Sequence, residues 1–96
     1  MSALAGQTAF ITGASGAIAT ACATALAADG ARLALMARRR EGVDAAADAV
    51  RGAVPGAEIM TIVGDCGDEA AVKQALHQAH ALAGRLDIAV ATVGGA

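Results

Sequence analysis

Phe10-Ile11-Thr12-Gly13-Ala14-Ser15-Gly16-Ala17-Ile18-Ala19 is the stretch on which the reading of this chain turns. An apolar run, Thr8 to Ile11, ends in a loop of small residues. The loop passes straight into an alanine-rich segment with no breaker before Asp29-Gly30. Strand, glycine turn and helix in that order make a phosphate site. Gly13 can adopt backbone angles barred to other residues, and Gly16 leaves no Cβ between the backbone and a ligand. The helix that follows aims its unpaired N–H groups and the positive end of its dipole at that point. The usual occupant of such a turn is a dinucleotide pyrophosphate.

Working outward, the alternation repeats. Residues 7–11 read as a first strand. Residues 16–28 read as a first helix, with Ile18, Cys22, Ala25 and Leu26 on one face at helical spacing. Asp29-Gly30 stops it. A second strand over 32–36 leads to a second helix over 42–54, ended by Pro55-Gly56. A third strand covers 58–63. A third helix covers 68–83, with Val72, Ala75, Leu76, Ala79 and Ala83 as its apolar face and Gly84 as its cap. A fourth strand covers 86–93. Strands alternating with helices of this length imply βαβ units and a parallel sheet. Right-handed crossovers then restrict the topology. The expected fold is α/β: a Rossmann-type, three-layer, doubly wound parallel sheet in partial form, with four strands in the order 3-2-1-4 and three helices. Helices one and two should cover one face, and helix three the other.

Bulk composition narrows the function classes. A chain of 96 residues is one domain at most. Its apolar fraction is 56%, but there is one Phe and no Trp or Tyr, so the core must be built from Ala, Val, Leu, Ile and Met. A net charge of −2 gives no basic footprint for nucleic acid. Cys22 and Cys66 form no metal-type cluster, which suits a reduced, cytoplasmic setting. The first residues lack the basic and long apolar parts of a signal peptide. Residues 17–28 are too short and too rich in alanine for a membrane span. His77 and His80 lie three apart on the third helix, but Lys73, Gln74 and Gln78 surround them and no third ligand is in view. They read as a solvent face rather than a metal site.

Four segments resemble the N-terminal part of the short-chain dehydrogenase/reductase family. They are Thr12-Gly13-Ala14-Ser15-Gly16-Ala17-Ile18-Ala19, similar to the family's TGxxxGxG turn; Ala37-Arg38-Arg39-Arg40; Asp65-Cys66-Gly67-Asp68; and Leu86-Asp87-Ile88-Ala89-Val90-Ala91-Thr92-Val93-Gly94-Gly95, where the family writes LDxxVNNAG. Two departures stand out. Aligned on Thr12-Gly13, the family's second and third glycines fall on Ala17 and Ala19, while Gly16 fits the GxxGxxG spacing of the extended branch. The NNAG asparagines are Ala91 and Thr92, so the side-chain hydrogen bonds that brace the sheet and the cofactor edge are missing.

The resemblance assigns a cofactor site residue by residue. Ser15 offers a hydroxyl, and the amides of Gly16, Ala17 and Ile18, after Gly13, line the pyrophosphate. Asp65 accepts from the adenine amino group, with Cys66 adding backbone contacts; without the resemblance, Asp65 would simply help start the third helix. Cys66 itself reads as a small filler rather than a reactive thiol. Ala91 is a cofactor-edge position. The arginine run would ordinarily be a solvated patch, but it stands where an acid selects NAD and an arginine accommodates the 2′-phosphate of NADP. With no acid before Glu41, Arg38 is the main candidate and Arg39 the second. Guanidinium groups hold phosphate in bidentate geometry, and Arg40 reads as a solvent residue. NADP is therefore expected over NAD.

The family's proton chemistry rests on a Tyr, a Lys four positions later and a Ser. No residue here fills a catalytic role: the chain contains no Tyr, and its one Lys is Lys73 on the exposed side of the third helix. Residues 1–96 are thus expected to be a dinucleotide-binding domain truncated after its fourth strand. Such a domain is inactive alone and meets a small-molecule substrate only in a full-length parent enzyme. Two alternatives stand beside this one: a non-catalytic nucleotide-binding module, and a truncated chain that pairs with another through strand four. In the last, Ile88, Val90 and Val93 form an open apolar edge that invites self-association.

Overall fold

The alternation of short apolar runs with alanine-rich segments resolves, in a computed structural model, into β1 (Thr8–Thr12), α1 (Ala17–Ala28), β2 (Arg32–Ala37), α2 (Arg40–Ala53), β3 (Ile59–Val63), α3 (Glu69–Ala83) and β4 (Ile88–Ala91). The structure describes residues 4–91, the side chains at 82 and 83 excepted. All strand pairs are parallel, in the order β3-β2-β1-β4. The expected sheet order is therefore observed. Most expected element ends lie within one or two residues of the observed ones. Thr92 and Val93, expected in strand four, lie outside the described residues.

Side chains of a strand alternate between faces, and the core divides accordingly. Ala9, Ile11, Leu33 and Leu35 point toward α1 and α2, against Val43, Ala46, Ala47 and Val50. Phe10, Ala34, Met36 and Ile62 point the other way, against Ala75 and Ala79 of α3. The expected distribution of helices over the two faces holds. Val72 and Leu76 flank the α3 contact, half-buried, while the side chain of Ala83 is outside the description.

The α1 face differs from the expectation. Its buried residues are Ala19, Ala23 and Ala27, one every four positions. Ile18 is 76% exposed, Ala25 is exposed, and Cys22 and Leu26 are half-buried. α1 lies close on the sheet through its smallest side chains, where the close-packed layers leave no room for larger ones. Ranking positions by hydropathy selects the wrong stripe.

β4 is fastened to β1 at its start. The Asp87 carboxylate accepts the Thr8 N–H at 2.9 Å, and the Asp87 N–H donates to the Thr8 carbonyl at 2.9 Å. Arg85 donates to the same carboxylate from Nε at 2.8 Å and from Nη2 at 2.7 Å. These bonds, first those from Arg85 and then that from Thr8, hold the Asp87 carboxyl below its ordinary value. Ile88 and Val90 are half-buried against the α1–α2 core. The apolar edge expected from them is thus a backbone edge; their side chains are largely occupied. Val93 lies outside the described residues. No helix among the described residues is long and apolar enough to cross a membrane.

Candidate functional site

A parallel sheet brings the ends of all its strands to one edge, and the crevice opens where neighbouring strands send their chains to opposite faces. Here that point is β1–β4, since α1 leaves β1 on one face and α3 enters β4 from the other. Gly13 to Ile18 follow β1, Arg38 and Arg39 follow β2, and Asp65 and Cys66 follow β3. Ala91 ends β4, exposed and in register with Thr12. The candidates named from the sequence therefore share one edge.

The loop after β1 is held from three sides. Gly13 has φ 64°, in the left-handed region that favours glycine. Its N–H donates to Cys66 Sγ at 3.3 Å, and that thiol lies 3.8 Å from the Met36 carbonyl as donor. The Ala14 N–H donates to the same carbonyl at 3.0 Å. From α1, the Thr20 hydroxyl donates to the carbonyls of Gly16 at 2.9 Å and Ala14 at 3.1 Å. β2, the β3–α3 loop and α1 thus fix the loop before any ligand arrives. Cys66, read as a filler, is one of its struts. Thr20 was not singled out at all, although a Thr four residues into a helix often bonds back to the preceding turn.

The start of α1 is open. Gly16 stands at its N-cap position and supplies no side-chain cap. By helix geometry the N–H groups of Ala17 and Ile18 have no intrahelical acceptor. The start of α3 contrasts with it: there the Asp68 carboxylate accepts from the Ala70 N–H at 3.0 Å. An anion at α1 meets free amides and the positive dipole end. Beside them Ile18 leaves an apolar surface uncovered. Open amides next to an uncovered apolar side chain fit a dinucleotide, which joins charged phosphates to flat rings.

The three arginines separate by what they touch. Arg40 Nη1 donates to Thr61 Oγ1 at 3.0 Å and to Asp44 Oδ1 at 3.4 Å. It is exposed, as read from the sequence, and also ties the first turn of α2 to β3. Arg38 and Arg39 are exposed, and their guanidinium groups make no hydrogen bond or ion pair among the described residues; the Arg39 carbonyl accepts the Val43 N–H at 3.1 Å. Asp65 is exposed, and its Oδ1 accepts the Gly67 N–H at 2.8 Å. One further contact had no signal in the sequence. A Cβ on Gly42, in the first turn of α2, would stand 3.1 Å from Ser15 Cβ. His77 and His80 are exposed, and the described residues include no group of three or more side chains placed to hold a metal. Two hollows lie at the opposite end of the sheet, one beside Thr8, Arg32 and Glu58, the other beside Gly6, Gly30 and Pro55. None of the site candidates borders either.

Comparison with known proteins agrees with this geometry. Residues 7–96 match the family described as short chain dehydrogenase. Levodione reductase of Leifsonia aquatica is 39% identical over 77 residues, which is 80% of this chain and 29% of that protein. A solved short-chain dehydrogenase/reductase of Serratia marcescens, the F98A/F202L variant, superposes with a TM-score of 0.85 at 37% identity, covering 97% of this chain and 38% of that one. NAD+-bound xylitol dehydrogenase superposes with a TM-score of 0.83 at 31% identity, covering 91% and 33%. The chain belongs to the short-chain dehydrogenase family, oxidoreductases that bind a nicotinamide dinucleotide. It spans about a third of the length of these relatives.

Proposed function

We propose that this chain is the NADP(H)-binding portion of a short-chain dehydrogenase/reductase whose complete form transfers a hydride between NADP and a carbonyl or alcohol substrate. The observation that carries the reading is the pairing of an α1 without a side-chain cap after β1 with two guanidinium groups after β2, those of Arg38 and Arg39, that are unengaged among the described residues. The amides of Ala17 and Ile18, with the Ser15 hydroxyl, hold the pyrophosphate on the turn that Gly13 permits; the Gly16 amide beside them donates to the Gly13 carbonyl at 3.1 Å and closes that turn. Arg38 and Arg39 hold the 2′-phosphate. Asp65 accepts from the adenine amino group, Cys66 adds its main chain, and Ala91 lines the edge. When bound, the nicotinamide supplies hydride chemistry; the protein's part is to bind and orient it. These 96 residues contain no Tyr, so we assign them cofactor binding and no catalytic residue. Two free cysteines suit a reducing compartment, and we place the protein in the cytoplasm.

The xylitol dehydrogenase relative carries NAD+, so cofactor choice rests on the β2 terminus. Titration with NADPH and NADH tests it, with Arg38→Ala alongside. Losing a charge-assisted hydrogen bond costs about 1.5–3 kcal/mol, roughly ten- to a hundredfold in NADPH affinity. NADH affinity should stay unchanged. Equal affinity of the unaltered protein for both dinucleotides would overturn the NADP assignment.

A further inference from the structure

The loop that grips the pyrophosphate and the turn that grips the 2′-phosphate meet at Ser15 and Gly42. Ser15 stands two residues after the left-handed Gly13, and Gly42 stands in the first turn of α2. A Cβ built on Gly42 would come to 3.1 Å of Ser15 Cβ and 3.7 Å of Ser15 Oγ. That is tighter than ordinary van der Waals contact, so one element would have to yield by a few tenths of an ångström. On the α2 side, Arg40 ties the first turn to Thr61 of β3 and Asp44 of α2. The loop carrying Ser15 is tied to β2 through the Ala14 N–H and to α1 through Thr20, so whichever side yields, the spacing between the two changes.

Resting on the functional reading above, we propose that Gly42 is a specificity-determining residue. Its missing side chain lets Ser15 sit against α2 and sets the spacing between the phosphate loop and Arg38 and Arg39. Both dinucleotides use the phosphate loop, but only the 2′-phosphorylated one is held at the loop and at the arginines together. A change in the spacing therefore shows in the choice between cofactors.

The experiment is a double-mutant cycle of Gly42→Ala and Ser15→Gly, read by titration with NADPH and NADH and by thermal melting. Misplacing a binding group by about 1 Å can cost as much as a hundredfold, so a few tenths should weaken NADPH about three- to tenfold, with NADH changed less than about twofold. The Gly42→Ala protein should melt close to the unaltered one, because the better helix propensity of alanine offsets the strain at Ser15. In the Ser15→Gly background the obstructing Cβ is gone, and Gly42→Ala should then leave the NADPH-to-NADH ratio alone. An equal loss of both cofactors on Gly42→Ala overturns the proposal, as does the same ratio change in both backgrounds. Unaltered protein that binds neither dinucleotide removes the functional reading and this one with it. Unaltered protein that prefers NADPH, with a ratio indifferent to Gly42→Ala, removes this one alone.

Discussion

At Ala17 and Ala19 the same methyl group faces opposite surroundings. Ala19 is 1% exposed, packed among Ile11 and the alanines of α1, and anything larger there would push the helix off the sheet. Ala17 is exposed in the first turn, beside the open amides. Substituting Ala17→Glu separates folding from binding. A carboxylate in a first helical turn is stabilising by about 0.3–1 kcal/mol, so the melting temperature should hold or rise slightly. The same charge repels a pyrophosphate, so NADPH affinity should fall by about tenfold or more. A variant that binds as before would argue against an anion at α1. Gly13 and the arginines were legible at this level because a positive φ and an isolated basic run leave marks in the sequence. The Cys66 strut was not, since the thiol and Gly13 stand 53 positions apart and nothing local to either announces the other.

Between elements, the join of β1 to β4 concentrates on Asp87. Its carboxyl titrates below the ordinary value of 3.8 because the ion it forms is bonded by Arg85 and by the Thr8 N–H. A group with a depressed folded pKa contributes stability that is full above the unfolded value and lost as the pH falls toward the folded one. The melting temperature should therefore drop on acidification below about pH 4, and Asp87→Asn, less stable at neutral pH, should flatten that drop. Parallel melts of the two proteins from pH 7 to pH 2.5 would decide the matter. Thr8 offers a test of the opposite sign. Its Oγ1 is buried with no hydrogen-bond partner among the described residues. Thr8→Val keeps the shape and removes the unsatisfied hydroxyl, and should stabilise the fold by about 1 kcal/mol in a denaturant titration. The order of the elements could be read in advance, because a glycine turn after the first strand and right-handed crossovers leave few topologies. The face of α1 could not. Hydropathy favours Ile18 and Leu26, whereas the close seat of α1 on the sheet takes Ala19, Ala23 and Ala27.

Across the whole molecule the sheet has β4 at one border, and its outer edge is unpaired among the described residues. An open edge presents a row of N–H and C=O groups to any other strand. We expect these 96 residues, prepared alone, to self-associate in sedimentation runs, with Ala89→Lys shifting the population toward monomer. Ala89 is exposed on β4, where a charge discourages pairing. A monomer at every concentration would sink this expectation. The alanine stripe of α1 has one more consequence. A buried leucine or methionine can exchange rotamers and must surrender that freedom on folding, whereas alanine has none to lose. The stripe by which α1 seats on the sheet is made of Ala19, Ala23 and Ala27, so it has no alternative rotamers to wander into. The helix that leaves the phosphate loop is thus seated on side chains that have no rotamers to exchange.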